Sequence, residues 1–560
     1  MNCRDVIMSE DYADFIVEFA SNVEAFLETY KDKCPTPIGI SYGTVFEPLE
    51  RALPISLARH DYQSIPKLYG EVDTVSVEAT GALRLQNLPG LNLKGSGTII
   101  GIIDDGIDPY HEAFRFSDGT SRILSAWDQT NQTLEPPLAQ SYGSELTRET
   151  INIELAKENS ELLNSLAENS AHGTFVAGVA AGNINDEMSF ASPAPSADLV
   201  VVKLKPAKQY LRDYYLINES VAAYQENDIL SAIIYMRAVA ALQQRPVIIC
   251  IALGCSQGPH NGSSVMGDFL NNAAGRNGIG VVVANGNEGS ARHHYSGRIT
   301  GESETVEIRV AENQNGFIIE LWGEAPNIFS IGVVSPSGEV VNRIPAKIGA
   351  TFDYTFLFEN TRLSVDYRVV ERRSGSELVQ IRLENPTAGI WKIVVYGDNI
   401  LSGEYNMWLP ITNFVGIDTY FLKPDPLITL TNPADASIPI SVGGYNVTTG
   451  GIFIDSSRGF TTLNEVKPNF VAPAVQVYGP GIRNTYVSRS GTSAAAALTT
   501  GVVAQFMEWG IVKNNSSRMN TAEIKNYLVR GAIRSPNTAY PNQAEGYGKL
   551  DAYNSIDILR

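Results

Sequence analysis

The chain is poor in cysteine, with four in 560 residues. Cys3, Cys34, Cys250 and Cys255 are too few and too scattered for a disulfide framework or a zinc site. Reduced thiols in an intracellular protein are the expectation. No secretory leader is expected either. Met-Asn-Cys-Arg-Asp-Val-Ile-Met-Ser-Glu-Asp has no basic start followed by an apolar stretch, so the reading is no Sec signal peptide and synthesis in the cytoplasm. No run approaches eighteen apolar residues, which argues against a membrane partner. Positive charge is scarce: 42 Lys and Arg against 61 Asp and Glu leave a net charge of −19. That balance argues against nucleic acid or an anionic membrane surface. What remains is a globular composition, in a length too great for one ordinary core.

Four segments differ in texture. Residues 1–74 mix a strand (Asp14 to Phe19), an amphipathic helix (Val23 to Tyr30) and further β-like stretches, an α+β pattern. Residues 75–300 carry unbroken apolar strands: Thr98 to Asp104, Leu199 to Leu204, Val247 to Leu253 and Ile279 to Ala284. Helical stretches such as Gly173 to Ala181 and Glu226 to Leu242 alternate with them. Strands apolar on both faces predict a parallel sheet in an α/β fold. Residues 301–431 instead alternate apolar and polar positions in short strands separated by turns, which predicts an all-β sandwich or jelly roll. The α/β pattern resumes over 432–560, with a helix from Ser493 to Trp509 capped by Gly510 and a capping box at Asn520 and Glu523. The all-β unit is therefore expected to be inserted within one α/β core.

Four sites carry candidate chemistry. Asp104 ends a buried strand ahead of Asp105-Gly106, at the sheet edge where open parallel sheets collect ligands. A turn is the plain alternative. His172 opens a helix of small residues, Ala171-His-Gly-Thr-Phe-Val-Ala-Gly-Val-Ala-Ala-Gly182. Such a helix packs closely and would hold the imidazole in place. Ser493 opens another, in Ser490-Gly-Thr-Ser-Ala-Ala-Ala-Ala-Leu498. A serine hydroxyl needs a base to become a nucleophile, and a helix N-terminus favours negative charge nearby. Serine at a helix start is more often simply an N-cap. Asn287, in Ala284-Asn-Gly-Asn-Glu-Gly289, follows a further apolar strand and could donate to an oxyanion or merely make a turn.

Together these motifs resemble the subtilisin-like (S8) protease family. Asp-x-Gly after a strand, His-Gly-Thr, Gly-Asn and Gly-Thr-Ser occur in that family's order. The resemblance covers about 75–300 and 432–560. It implies a serine endopeptidase in which Asp104, His172 and Ser493 form the triad. Asn287 with the Ser493 backbone N–H would form the oxyanion hole. It implies no cofactor and no metal; Ala113 stands where many secreted members place a calcium-ligating Asp. Asp105 replaces the usual Ser or Thr. An extended protein or peptide substrate would lie between two strands, with Ala252, Leu253 and Gly254 on one edge and Val221 to Ala223, centred on Ala222, on the other.

Within the family the chain resembles the Csp-type clostridial germination proteases. The β insertion, the stretch Val202 to Arg212, Tyr224-Gln-Glu-Asn-Asp228 and Gly258-Pro-His-Asn-Gly262 carry that likeness. It implies an inserted jelly-roll-like domain and an N-terminal prodomain, residues 1–74, cut by self-processing between about 68 and 78. The prodomain would be bound in cis or after cleavage. A monomeric, spore-associated enzyme that activates a cortex-lytic proenzyme follows from the same resemblance. Two alternatives stand beside it. One is a catalytically silent pseudoprotease acting as a regulatory binding protein. The other is a binding role seated in the β insertion.

Overall fold

The computed structural model describes residues 3–20, 22–71, 78–138, 140–349 and 351–558. The expected boundary at residue 74, and most of the 68–78 interval, lie outside the described residues.

An eight-stranded sheet forms the centre. Its spatial order is Phe470–Pro473, Ile440–Tyr445, Ile279–Ala284, Val247–Ile251, Ile99–Asp104, Asp198–Lys203, Ile123–Asp128 and Ser144–Thr147. Every neighbouring pair runs parallel except the last. The strands are apolar on both faces because both faces are covered. Ile99, Ile103, Ile249 and Val281 pack with Ile229, Met236 and Phe269 from helices Glu226–Gln243 and Val265–Ala274. Ile100, Ile102, Ile248 and Val282 face the other way, onto helices Ala171–Ala181 and Thr492–Met507.

These last two helices are built from small residues because they touch. A Cβ on Gly501 would lie 2.5 Å from the carbonyl oxygen of Ala180. Gly510 does not end the second helix as expected; the chain winds on through a wider turn, Glu508–Val512. A Cβ on Gly510 would meet Met519 Sδ at 2.6 Å, so this glycine serves close packing rather than capping. Thr492–Val512 is long and apolar enough to cross a membrane, but 83% of its most apolar window is buried within the molecule, as in a core helix.

The inserted unit is a β-sandwich of six- and five-stranded antiparallel sheets. Phe317, Ile319, Leu321, Phe329, Ile331, Trp391 and Ile393 fill the space between them. Its first strand, His294–Arg298, starts ahead of residue 301. His-Tyr-Ser-Gly-Arg lacks a clean apolar alternation and becomes a strand by pairing with Glu404–Trp408, a partner far along the chain.

The N-terminal unit is a three-stranded antiparallel sheet, Tyr12–Glu18, Tyr42–Pro48 and Thr36–Ile38 in spatial order. The expectation of four reduced thiols is corrected here. Cys3 and Cys34 form a disulfide, with Cα atoms 5.3 Å apart. The sheet brings together two residues 31 positions apart, which no local sequence pattern announces. Cys250 and Cys255 are free and buried.

Candidate active site

Asp104 is the last residue of the strand Ile99–Asp104, and His172 is the second residue of its helix. Two features bring them together. Gly173 lets the helix start press on the strand end: a Cβ there would lie 2.2 Å from Gly106 O and 2.9 Å from Asp104 Cβ. Asp105 then caps the helix, accepting the backbone N–H groups of His172 at 3.1 Å and Gly173 at 2.7 Å. An aspartate thus does at this position what a helix-capping hydroxyl does elsewhere. It was read from the sequence only as a replacement for Ser or Thr.

His172 Nδ1 lies 2.8 and 2.9 Å from the two carboxylate oxygens of Asp104. His172 Nε2 lies 3.1 Å from Ser493 Oγ. With Nδ1–H donating to the carboxylate, Nε2 is left as the acceptor for the serine proton. Asp104, His172 and Ser493 are all buried. Ser493 stands in the first turn of its helix, reached through Gly491, whose φ of 147° favours glycine. Asn287 is tied by its Oδ1, which accepts from the Thr492 N–H at 3.1 Å and the Thr492 hydroxyl at 3.2 Å. Its carbonyl end is thereby fixed beside the nucleophile's helix, and its N–H₂ end is turned away from Thr492. The arrangement provides a nucleophile, a base and a group orienting the base. Cys250, also near this site, is no second nucleophile; burial pushes its thiol up to about 12.

The cleft beside the triad is occupied by the chain itself. The strand Leu68–Glu71 lies between Leu253–Gly254 and Tyr224–Gln225, antiparallel to both. Glu71 is opposite Leu253 and Gly70 opposite Gly254. Ser493 Oγ is 3.4 Å from the carbonyl oxygen of Ala252, the next residue along that edge. Ala252, Leu253 and Gly254 therefore form one wall of the cleft. The expected opposite wall at Val221 to Ala223 is corrected to Tyr224–Gln225. Ala222 is exposed in the bend leading into that strand and outside its paired stretch. A two-residue strand has no periodicity, so the sequence offered no signal for its bounds.

Buried polar groups clamp the N-terminal unit in place. Asp14 accepts from Lys208 Nζ at 2.5 Å and from Gln225 Nε2 at 3.0 Å, so it steadies the cleft edge as well. Within the catalytic core itself, Lys205 pairs with Asp228 at 2.7 Å. Burial pulls the Lys208 ammonium below its ordinary value and pushes the Asp228 carboxyl up. The β-sandwich joins through Glu320, which accepts from Tyr62 Oη at 2.9 Å, Gly258 N at 3.0 Å and Trp322 Nε1 at 3.0 Å.

The subtilase family model (Peptidase S8) matches residues 95–411 and 423–548. Among solved structures, the CspB protease of Clostridium perfringens superposes with a TM-score of 0.77 at 26% identity, covering 86% of this chain and 96% of that one. Among curated proteins, the PI-type proteinase of Lactococcus lactis subsp. cremoris is 22% identical over 83% of this chain and 26% of its own length. The subtilisin-like protease SBT6.1 of Arabidopsis thaliana is 34% identical over 24% of this chain and 13% of its own. The chain thus spans only a minor part of those two relatives. The matched family, together with the geometry around Ser493, shows that this chain belongs to the subtilase family and is similar to the Csp type.

Proposed function

We propose that this chain is a serine endopeptidase that processes its own N-terminal unit and then acts on a dedicated protein substrate. The observation that carries the reading is a histidine within hydrogen-bond reach of both Asp104 and Ser493, with an extended segment of the same chain paired into the adjoining cleft.

His172 takes the Ser493 proton as Oγ attacks a peptide carbonyl. Asp104 orients the ring and balances the imidazolium charge. Asn287 Nδ2 and the Ser493 backbone N–H receive the oxyanion. The tetrahedral intermediate collapses, His172 gives its proton to the leaving amine, and the acyl group stays on Ser493 Oγ. Water, deprotonated by His172, then releases the new carboxyl terminus.

The N-terminal unit is in this reading a prodomain that remains clamped after the cut. The register supports a cut just beyond Glu71, because Glu71 is opposite Leu253 and Ser493 Oγ approaches Ala252, the residue before it; the residues that follow Glu71 lie outside the described ones. The likeness to Csp-type germination proteases makes a spore cortex-lytic proenzyme the candidate substrate, and a spore-associated monomer the candidate form. The occupied cleft also fits a silent regulatory protein, so the test must separate the two. Intact mass of the wild type beside Ser493→Ala is expected to show a cut, within 72–78, in the wild type alone. A serine-directed fluorophosphonate is expected to label Ser493. Identical full-length masses and no Ser493-dependent labelling would overturn the endopeptidase reading in favour of the silent one.

A further inference from the structure

Tyr69, in the strand that fills the cleft, is 1% exposed. It belongs to the apolar cluster that also holds Tyr224, Ile229, Leu253 and Cys255. Its hydroxyl donates to Asn432 Oδ1 at 3.0 Å. Burial pushes the phenol well above its ordinary value, so it is a neutral donor at any working pH.

Asn432 is rigidly mounted to receive it. Its backbone N–H donates to Cys255 O at 2.8 Å, and its carbonyl accepts the Cys255 N–H at 3.1 Å. It is 4% exposed. Cys255 directly follows the wall strand Leu253–Gly254, so Asn432 extends that wall beyond the point where the segment pairs with Gly254. It belongs to the part of the chain after the β-sandwich, far from Gly254 in sequence, and only folding places it here.

The register sets the position being read. Glu71 is opposite Leu253, Gly70 is opposite Gly254, and Ser493 Oγ lies 3.4 Å from the carbonyl oxygen of Ala252, the residue before Leu253. A substrate held in this register, with one further residue level with Ala252, would carry the counterpart of Tyr69 four residues before the bond presented to Ser493. A buried acceptor facing a phenylalanine would be left unpaired, which is why sites built for a hydroxyl reject the analogue lacking one.

We propose that Asn432 is a specificity-determining residue that selects protein substrates carrying tyrosine four residues before the scissile bond. Its own segment Tyr69-Gly-Glu-Val72 is the built-in example. This inference rests on the endopeptidase reading above and names the substrate class of that same site.

Two peptides spanning Leu68–Val77, one native and one with Phe in place of Tyr69, are given to the self-processed full chain. The expected ratio of kcat/KM is roughly ten- to hundredfold in favour of tyrosine. In Asn432→Ala the ratio is expected to fall to within about threefold, because the amide oxygen that would be orphaned is gone and only the weakly accepting Cys255 sulfur remains beside the phenol. Equal cleavage of both peptides by the wild type would overturn the inference. A persistent tyrosine preference in Asn432→Ala would assign the discrimination to another group and would equally overturn it. If the retained N-terminal segment keeps peptides out, the readout moves to the uncut chain in the Ser493→Ala background. There Tyr69→Phe is expected to speed amide exchange at Leu253 and Gly254 roughly tenfold, and unchanged exchange would overturn the inference. Absence of fluorophosphonate labelling and of self-cleavage marks a different failure, that of the endopeptidase reading itself.

Discussion

Asp14 holds the N-terminal unit to the catalytic core through a charge that no solvent reaches. Its carboxylate is fully buried and takes Lys208 Nζ at 2.5 Å, Gln225 Nε2 at 3.0 Å and Asn227 Nδ2 at 3.3 Å. Asp14→Ala leaves Lys208, itself 3% exposed, with the Tyr12 carbonyl at 3.2 Å and no counter-charge in contact. Removing one member of a buried pair typically costs about 3–5 kcal/mol, chiefly because the other charge stays buried and unpaired. At about 1.4 kcal/mol per factor of ten, undocking of the unit should become roughly a hundred to a few thousand times more frequent. Amide exchange in the full chain reads this directly, with Ser493→Ala present so that no cut intervenes. Exchange at Phe15, Ile16 and Leu68 should rise by that factor, while Ile249 and Val282 in the central sheet stay protected. Asp14→Leu combined with Lys208→Met should recover much of the loss, since apolar replacement of a whole buried pair is close to neutral. Exchange at Phe15 and Leu68 within threefold of the parent in Asp14→Ala would refute the reasoning.

Two more outcomes follow from the same geometry. Asn287→Ala should lower kcat by roughly 10²–10³ with KM nearly unchanged, because the amide acts on charge that exists only in the transition state; steady-state kinetics checks this. Glu377, buried in the β-sandwich with one oxygen accepting the Phe329 N–H at 2.6 Å, has its carboxyl pushed up from 4.5 to about 8 by desolvation. The folded chain keeps a proton there that the unfolded chain releases. Its stability contribution is therefore complete below pH 4.5 and lost as pH rises through 8. Glu377→Gln should gain about 3–5 kcal/mol on the wild type between pH 5 and pH 9, read by denaturant unfolding at both. A constant difference across that range would exclude a titrating Glu377.

Parts of the structure whose cause is local are legible along the chain. Ile279 to Ala284 is a buried strand because its apolar run has no polar face to show water. The small residues after His172 and Ser493 make closely packing helices, which places both groups at helix starts wherever the helices go. The motif order around Asp104, His172, Asn287 and Ser493 was enough to name the chemistry. What depends on residues distant in the chain became visible only in the fold. The cleft edge at Tyr224–Gln225 exists because Leu68–Glu71 pairs with it. Cys3 meets Cys34 because a sheet folds between them. The β-sandwich claims His294–Arg298 because Glu404–Trp408 offers a ladder. Asn432 reaches Tyr69 across the whole molecule. A strand pairing or a buried hydrogen bond belongs to two partners at once, and a pattern read along one of them carries no record of the other.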